Sequence, residues 1–237
     1  MQQIQEHKLK IIKIIDETPD VKTFRVEVPK EKEISFSPGQ FFMVSLEDNP
    51  KLQRAYSIAS SPEQKSHIDI TVELVGEFTT KLFKSKVDDY LIFKGPFGKF
   101  HFTEETKNDL VLISGGCGIS AMMCIARYCT DKQLQNKIKL IYSVKTSEDI
   151  IYNEDLKIIK EKNPNFNYTI TITRSKPEHN WQGKTGRIDI NLLKENIETI
   201  ENSIYFLCGP VEFVKNTITL LEDLGVKKEQ IRTDVWG

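Results

Sequence analysis

Residues 109–131 of the chain, DLVLISGGCGISAMMCIARYCTD, decide the fold. The short apolar run DLVLIS is typical of a buried strand, and the apolar residues of GISAMMCIARYCTD recur at helical spacing. A glycine-rich turn joins the two. A strand that passes through such a turn into a helix predicts the first β–α unit of a parallel sheet.

The same alternation continues towards the C-terminus. Four further apolar runs are separated by helical patterns, and these runs are IKLIYSV, NYTITIT, SIYFLCG and IRTDV. The helical patterns between them are NEDLKIIKEK, DINLLKEN and PVEFVKNTITLLEDLG. Strands that alternate with helices of this length predict a parallel sheet with right-handed crossovers, and a ligand crevice at the carboxyl ends of its strands.

Residues 7–102 predict a different architecture. Short strand-like runs are separated by turn residues, and these runs are HKLKIIKIIDE, VKTFRVEVP, SPGQFFMVSLE, RAYSIAS, HIDITVELVG and DYLIFKGPFG. Only TTKLFKS, residues 79–85, predicts a helical turn among them. Short strands at this spacing predict an antiparallel barrel or sandwich. The polar joint TEETKN at 103–108 divides the chain, so we predict domains at residues 1–104 and 105–237.

The composition disfavours several classes of function. With 33 basic and 34 acidic residues, the chain lacks the global basic field expected of a nucleic-acid-binding protein. No run approaches the ~20 apolar residues of a membrane helix, and the N-terminus does not resemble a signal peptide. The four cysteines match no zinc or iron–sulfur spacing. We therefore expect a cytoplasmic protein with reduced thiols, no metal, no nucleic acid and no membrane insertion, and its oligomeric state stays open.

Six motifs follow one another along nearly the whole chain. They are RAYS at 54–57, GEFTTKL at 76–82, GPFGKF at 95–100, ISGGCGIS at 113–120, YSVKTSEDIIY at 142–152 and CGP at 208–210. Each motif alone is unspecific, but in this order the series resembles the ferredoxin–NADP reductase family of flavoproteins. The resemblance implies an antiparallel β-barrel that binds FAD, or less often FMN. It also implies an α/β parallel-sheet domain that binds NADH or NADPH.

The residues of RAYS suit a flavin nucleotide. A guanidinium can contact phosphate oxygens in a bidentate manner, and a tyrosine ring can pack on the isoalloxazine. A serine hydroxyl can both donate and accept as flavin N5 changes protonation. By resemblance, Arg54, Tyr56 and Ser57 take these roles, with Ala55 between them in the same site. Strict alternation puts Ser57 on the opposite face from Arg54 and Tyr56, so we expect the strand to bend or end there.

The motif GEFTT precedes the predicted helical turn. Thr79 or Thr80 could cap that turn and leave free N–H groups for an anion. By resemblance, Thr79 contacts the flavin diphosphate, and Gly76 and Thr80 belong to the same site. Phe41 matches a position where the family often has an aromatic residue near the flavin, and a core phenylalanine explains it equally well.

Free amides at the helix N-terminus after the glycine-rich turn suit a dinucleotide pyrophosphate. By resemblance this turn is the nicotinamide-nucleotide loop, which comprises Gly115, Gly116, Cys117, Gly118 and Ile119. We interpret Cys117 as a packed thiol and not as a nucleophile. The resemblance also places Cys208 beside the nicotinamide, where it orients the ring, together with Gly209, Pro210 and Phe213.

Near the C-terminus the resemblance implies an acidic residue and an aromatic residue close to the flavin. Asp234 and Trp236 match these positions, and a tryptophan could stack on the isoalloxazine or pack between the domains. The resemblance thus assigns the catalytic roles to Ser57, Cys208 and Asp234.

Selection between the two nicotinamide nucleotides depends on the loop after NYTITI. Thr173 and Arg174, followed by Ser175, match a pair that can hold a 2′-phosphate in the family, which favours NADPH. NADH-using relatives also carry Arg at this point, so both nucleotides stay open. Lys145 and Thr146 are expected to line the nucleotide without selecting between the two.

The predicted reaction is hydride transfer from nicotinamide C4 to flavin N5, followed by electron transfer to a separate acceptor. The acceptor could be a ferredoxin, a flavodoxin, an oxygenase component, free flavin or a metal chelate. One alternative is a flavin-bearing electron-transfer subunit of a larger complex, like those attached to dihydroorotate dehydrogenases. Such subunits usually add a C-terminal cysteine cluster, so a sequence that stops at Gly237 is expected to count against it. Another alternative is a cofactor-binding module without turnover.

Overall fold

The structure is a computed structural model that describes residues 4–175 and 180–236, without the side chain of Trp236. The chain forms two six-stranded sheets. The first contains β1 (Gln5–Thr18), β2 (Val21–Glu27), β3 (Phe41–Leu46), β4 (Asn49–Ser57), β5 (His67–Glu73) and β6 (Tyr90–Phe97), with helix α1 (Glu77–Leu82) between its last two strands.

The first sheet is antiparallel and has the order β4-β3-β6-β1-β2-β5. The fourteen-residue strand β1 serves two neighbours, because its first half pairs with β6 and its second half pairs with β2. A bulge between Ile11 and Lys13 separates the two halves and bends the strand. An isolated bridge between Ile58 and Ile70 joins the two edges of the sheet. The sheet therefore curls into a barrel around a core that includes Phe24, Phe42 and Phe93.

The second sheet is parallel and has the order β10-β9-β8-β7-β11-β12. Its strands are β7 (Asp109–Gly115), β8 (Ile138–Val144), β9 (Phe166–Ile172), β10 (Lys184–Thr185), β11 (Ser203–Pro210) and β12 (Ile231–Trp236). Its helices are α2 (Ile119–Asp131), α3 (Asn153–Lys162), α4 (Ile190–Asn196) and α5 (Val211–Asp223). Helices α2 and α3 cover one face, and α4 and α5 cover the other. The strand order reverses between β7 and β11, where α/β sheets place their ligand crevice.

The predicted fold, an antiparallel barrel followed by a parallel α/β domain, is confirmed by the two sheets. Between them lies a segment without strands, from Phe97 to Asp109. The boundary at 104/105 stays a prediction. The two-residue strand β10 had no signal in the sequence, because so short a strand carries no periodicity. In the described part of the chain, no helix is long and apolar enough to cross a membrane.

Helix α2 of the parallel domain packs directly against the barrel. Its Cys124 lies in the barrel core, and the Sγ atom donates to the Ser60 carbonyl at 3.0 Å. In the opposite direction, Ala59 and Phe100 pack in the core around α2. The ring of Phe100 meets Phe206 edge-on, with 5.3 Å between centroids. The two cores are therefore continuous across the domain boundary.

Polar contacts reinforce this packing, and Arg127 is central to them. Its guanidinium donates to the carbonyl of Ala59 and to Oδ1 of Asp155, both at 2.7 Å. It also lies over the Tyr152 ring, 5.0 Å from the centroid. The Arg127 side chain is only 18 % exposed, so these contacts form largely out of water.

Tyr152 extends the same network into the barrel. Its hydroxyl forms a hydrogen bond with Thr71, and its backbone N–H donates to Oε2 of Glu17 at 3.1 Å. Thr23 joins them, because its hydroxyl contacts both Thr71 and Glu17. Tyr152 has a φ of 60°, a left-handed conformation that is uncommon for a bulky residue and that these contacts stabilise. We call Glu17, Thr23, Thr71, Arg127, Tyr152 and Asp155 the interdomain network.

Candidate active site

A cavity of about 580 Å³ opens where the two domains meet, at the carboxyl ends of β11 and β12. Its volume is typical of a site for a cofactor-sized ligand. The predicted site residues that line it are Arg54, Ala55, Tyr56, Ser57, Gly76, Thr79, Cys117, Cys208 and Asp234. Residues distant in sequence, from both domains, thus converge on one cavity, which we call the first cavity.

The end of β4 explains how both faces of the RAYS strand reach this cavity. Strand β4 is the last strand of its sheet, and it ends at Ser57, as strict alternation predicts. Ile58 then crosses to the opposite edge, where it bridges to Ile70. Since no neighbour covers the outer edge of β4, the cavity extends around that edge and contacts Arg54, Tyr56 and Ser57 together.

Arg54 and Tyr56 differ in environment. Arg54 is exposed, and its guanidinium contacts only the neighbouring Gln53 carbonyl at 2.8 Å. Glu77 lies close enough to interact with Arg54 but pairs with Lys81. Tyr56 packs on Phe78, with 5.9 Å between ring centroids, and burial raises the pKa of its phenol. The cavity therefore has an available cation beside a neutral aromatic ring.

The Thr79 hydroxyl is already engaged within its own loop. It accepts from the backbone N–H groups of Val75 and Gly76, at 3.0 and 2.9 Å, and donates to the Gly76 carbonyl at 3.0 Å. The hydroxyl thus fixes the loop that leads into α1. Thr79 lines the cavity, but its predicted contact with a diphosphate stays a prediction.

Ser57, Cys208 and Asp234 meet across the domain boundary. Cys208 and Asp234 are paired on adjacent parallel strands, and the Cys208 thiol donates to Oδ2 of Asp234 at 3.8 Å. The Ser57 hydroxyl, from the barrel, also bonds to the Asp234 carboxylate. Burial raises the pKa of Asp234 in spite of these hydrogen bonds, which act in the opposite direction. Burial also raises the pKa of Cys208, which is only 1 % exposed, so its thiol stays neutral.

Three polar residues line the first cavity that the sequence did not single out, namely Thr71, Glu73 and Ser120. Ser120, in the first turn of α2, is 3 % exposed, and its hydroxyl has no partner within the described part of the chain. A buried hydroxyl of this kind normally finds a hydrogen bond, so it fits a ligand with polar atoms. Periodicity cannot reveal such residues, because their role depends on where α2 meets the barrel.

A second cavity, of about 270 Å³, adjoins the glycine-rich turn. The predicted site residues that line it are Gly115, Gly116, Cys117, Lys145 and Pro210. Phe213, interpreted from the sequence as a wall residue, also lines it. The cavity has three carboxylates as well, from Asp20, Glu73 and Asp149. Asp149 is partly engaged, because it accepts from the backbone and the hydroxyl of Thr146, both at 2.8 Å.

The glycines of this region answer two geometric needs. Gly116 has a φ of 54°, which allows β7 to turn sharply into a short 3-10 helix, Gly116–Gly118, before α2. Gly209 lies under the Phe213 ring, and a Cβ there would come within 2.7 Å of that ring. The backbone of β11 can therefore approach the loop closely only because residue 209 has no side chain.

Several predicted site residues lie outside both cavities. They are Thr80, Gly118, Ile119, Thr146, Arg174, Ser175 and Gly209. Ile119 is fully buried in the core around α2, so its side chain is structural. Arg174 is exposed, and its backbone N–H donates to the Lys145 carbonyl at 2.7 Å. The side chain of Trp236 lies outside the described residues, so its predicted stacking stays a prediction.

Comparison with known families decides the identity of the fold. Residues 8–102 match the oxidoreductase FAD-binding domain, and residues 112–218 match the oxidoreductase NAD-binding domain. The chain belongs to the ferredoxin–NADP reductase family of flavoproteins. Family membership makes it an FAD-dependent NAD(P)H oxidoreductase, as predicted.

Relatives of this flavoprotein are subunits of larger enzymes. It is 31 % identical over 217 residues to a subunit of the Na(+)-translocating NADH-quinone reductase of Idiomarina loihiensis, covering 83 % of this chain and 52 % of the relative. The corresponding protein of Haemophilus influenzae is 31 % identical over 241 residues, covering 94 % of this chain and 58 % of the relative. The chain thus spans little more than half the length of these relatives.

Solved structures show the same two-domain fold. The ferredoxin reductase of a carbazole 1,9a-dioxygenase superimposes with a TM-score of 0.87 at 27 % identity, covering 98 % of this chain and 69 % of that chain. A ferredoxin NADP+ reductase from Neisseria gonorrhoeae gives a TM-score of 0.81 at 24 % identity, covering 97 % and 98 % of the two chains. At that identity the second likeness supports the fold alone.

The first cavity fits FAD on its own chemistry. It combines the available guanidinium of Arg54, the apolar ring of Tyr56 and the unpartnered hydroxyl of Ser120. These groups match a diphosphate, a flat ring and the polar atoms of a ligand, respectively. The second cavity, beside the glycine-rich turn, is the corresponding place for the nicotinamide nucleotide.

Proposed function

We propose that the chain oxidises NADH with FAD in the first cavity and passes the electrons to a separate acceptor. The observation that carries the proposal is the contact of Ser57 and Cys208 with Asp234, at the point where the barrel meets the parallel sheet. When bound, FAD accepts a hydride and can release the two electrons singly.

The residues of the chain would bind and orient the two nucleotides. Arg54 would hold the flavin diphosphate, and Tyr56 would cover one face of the ring. The Ser57 hydroxyl, held by Asp234, is placed to donate or accept at the reacting edge. The small, neutral Cys208 would position the nicotinamide without covalent chemistry, since burial keeps its thiol protonated.

NADH is favoured over NADPH by the charges of the second cavity. Carboxylates of Asp20, Glu73 and Asp149 line it against a single lysine, Lys145. A 2′-phosphate would add a dianion to this surrounding, and like charges repel. This preference reverses the one drawn from Thr173 and Arg174 in the sequence. Arg174 stands next to residues 176–179, which lie outside the described part, so its role stays a prediction.

The acceptor is proposed to be a separate protein or domain. Relatives named as subunits of an NADH-quinone reductase support the alternative of an electron-transfer subunit within a larger complex. The ferredoxin reductase of a dioxygenase supports a free-standing reductase that serves a ferredoxin. Flavodoxin, an oxygenase component and free flavin stay as further acceptors. The cytoplasmic location and the lack of membrane insertion also stay predictions.

An anaerobic titration tests the proposed function. The purified protein is expected to be yellow, and one equivalent of NADH should bleach its flavin absorbance. NADPH should reduce the flavin about tenfold more slowly, which is the typical effect of one unfavourable charged contact. Arg174→Ala should leave the rate with NADH unchanged. Faster reduction by NADPH, abolished in Arg174→Ala, would instead support the 2′-phosphate site.

Cys208→Ala is expected to fold and retain FAD but to slow hydride transfer about tenfold, because a misplaced ring loses its reactive alignment. Single-turnover reduction by NADH, followed in a stopped-flow instrument, measures the rate. Cys129→Ala is a matched control, since Cys129 is equally buried but lines neither cavity. Equal rates in Cys208→Ala and wild type would remove Cys208 from the site.

A further inference from the structure

The two cavities share a wall, and two side chains form it. Glu73 and Cys117 each line both cavities. Glu73 is the last residue of β5 in the barrel, and Cys117 belongs to the glycine-rich turn of the parallel domain. The shared wall therefore contains one residue from each domain.

The reacting nicotinamide ring must lie at this wall if the proposed function holds. The dinucleotide would occupy the second cavity beside the glycine-rich turn, and FAD would occupy the first. Hydride transfer needs the two rings within about 3–3.5 Å of each other. A ring that extends from one cavity to the other has to pass Glu73 and Cys117.

The wall has a negative charge that its own partner does not neutralise. Burial, and then the Glu73 carboxylate beside it, raise the pKa of the Cys117 thiol, so the thiol stays protonated and neutral. Asp20 also lines the second cavity and adds a like charge, whereas Lys145 is the basic residue on that side. An S–H group can hold a carboxylate in place without cancelling its charge.

We propose that the Glu73 carboxylate stabilises the nicotinamide ring as it becomes a cation, an inference that rests on the proposed function. When the hydride leaves C4, it takes both electrons of the C–H bond to FAD. The nicotinamide ring is thereby oxidised and carries one positive charge, and FAD is reduced with one proton taken from solvent. Glu73 takes no proton in this step, because its contribution is a fixed charge placed where positive charge develops.

The expected consequence is a difference between the two charge states of the nicotinamide. A carboxylate several ångströms from a cation, in surroundings between protein and water, favours that cation by about tenfold in affinity. The neutral, reduced ring should gain nothing from the same charge. Removal of the charge should therefore weaken binding of the oxidised form only.

The experiment compares two ligands that do not react with the oxidised holoenzyme. NAD⁺ has the charged ring, and 1,4,5,6-tetrahydro-NAD has an uncharged ring that cannot donate hydride. Dissociation constants are measured from the shift in flavin absorbance for wild type, Glu73→Gln and Glu73→Asp. Glu27→Gln is the matched control, because Glu27 is exposed on β2 and lines neither cavity.

Glu73→Gln should raise the Kd for NAD⁺ about tenfold and leave that for the tetrahydro analogue unchanged. Glu73→Asp, which keeps the charge, should restore most of the NAD⁺ affinity. Equal changes for both ligands, no change, or a Glu73→Gln protein that has lost FAD would each overturn the inference. Wild-type protein that binds neither ligand would instead overturn the proposed function, and the inference with it.

Discussion

Arg127→Met is expected to lower the free energy of unfolding by about 3 kcal/mol, the low end for a broken buried ion pair. In a chain of this size that corresponds to a fall of about 8 °C in the melting temperature. The physical reason is that Arg127 is largely buried, and it donates both to the Ala59 carbonyl and to Asp155. Methionine keeps much of the side-chain volume but leaves both acceptors without this donor.

Thermal unfolding followed by circular dichroism measures the change, with flavin fluorescence as a second probe. Lys137→Met is the matched control, because Lys137 forms an exposed ion pair with Glu198 at 2.9 Å. Exposed pairs contribute about 0–1 kcal/mol, so that variant should melt close to wild type. If the two variants lose the same stability, the Arg127 contacts contribute no more than a surface pair.

Arg54→Ala should raise the dissociation constant for FAD by about 10- to 100-fold, the range for one lost charge-assisted contact. The side chain lines the first cavity and makes no ion pair in the described part of the chain. The protein should fold normally, because Arg54 is exposed and lies outside the core. A large loss of flavin is therefore expected without a loss of stability.

Fluorescence titration of the flavin-free protein with FAD measures the affinity of Arg54→Ala. Lys51→Ala removes a positive charge from the same strand, β4, at an exposed position that does not line the cavity, and should bind FAD as wild type does. An Arg54→Ala protein that purifies with full flavin occupancy would exclude a phosphate-binding role for this residue.

The parts of the site that lie within contiguous motifs could be predicted from the sequence. RAYS, the glycine-rich turn and Cys208 line the cavities because each lies at the end of a strand, and strand ends can be located from hydrophobic runs. Asp234 required more than a pattern, since only the resemblance to a family marked it. Whether these residues bind the cofactors stays a prediction that the proposed variants test.

Other features depend on contacts that no local pattern encodes. Glu73 and Ser120 line the cavity only because β5 and α2 approach each other across the domain boundary. The interdomain network was equally invisible, because Arg127 has the sequence context of an ordinary helical surface residue. Thr79 has the expected position, but its hydroxyl bonds to the Gly76 loop, a preference that short polar side chains often show.

The interdomain network also limits how the two halves could be recombined during evolution. Arg127 contacts the barrel through the main-chain carbonyl of Ala59, which any residue at position 59 would supply. A nucleotide domain that carries this arginine could therefore be inherited with many different barrels. The contact between Tyr152 and Thr71 depends on both side chains, so it must be inherited as a pair. Natural chimaeras of this architecture should then keep the arginine alone but exchange the tyrosine and the threonine together.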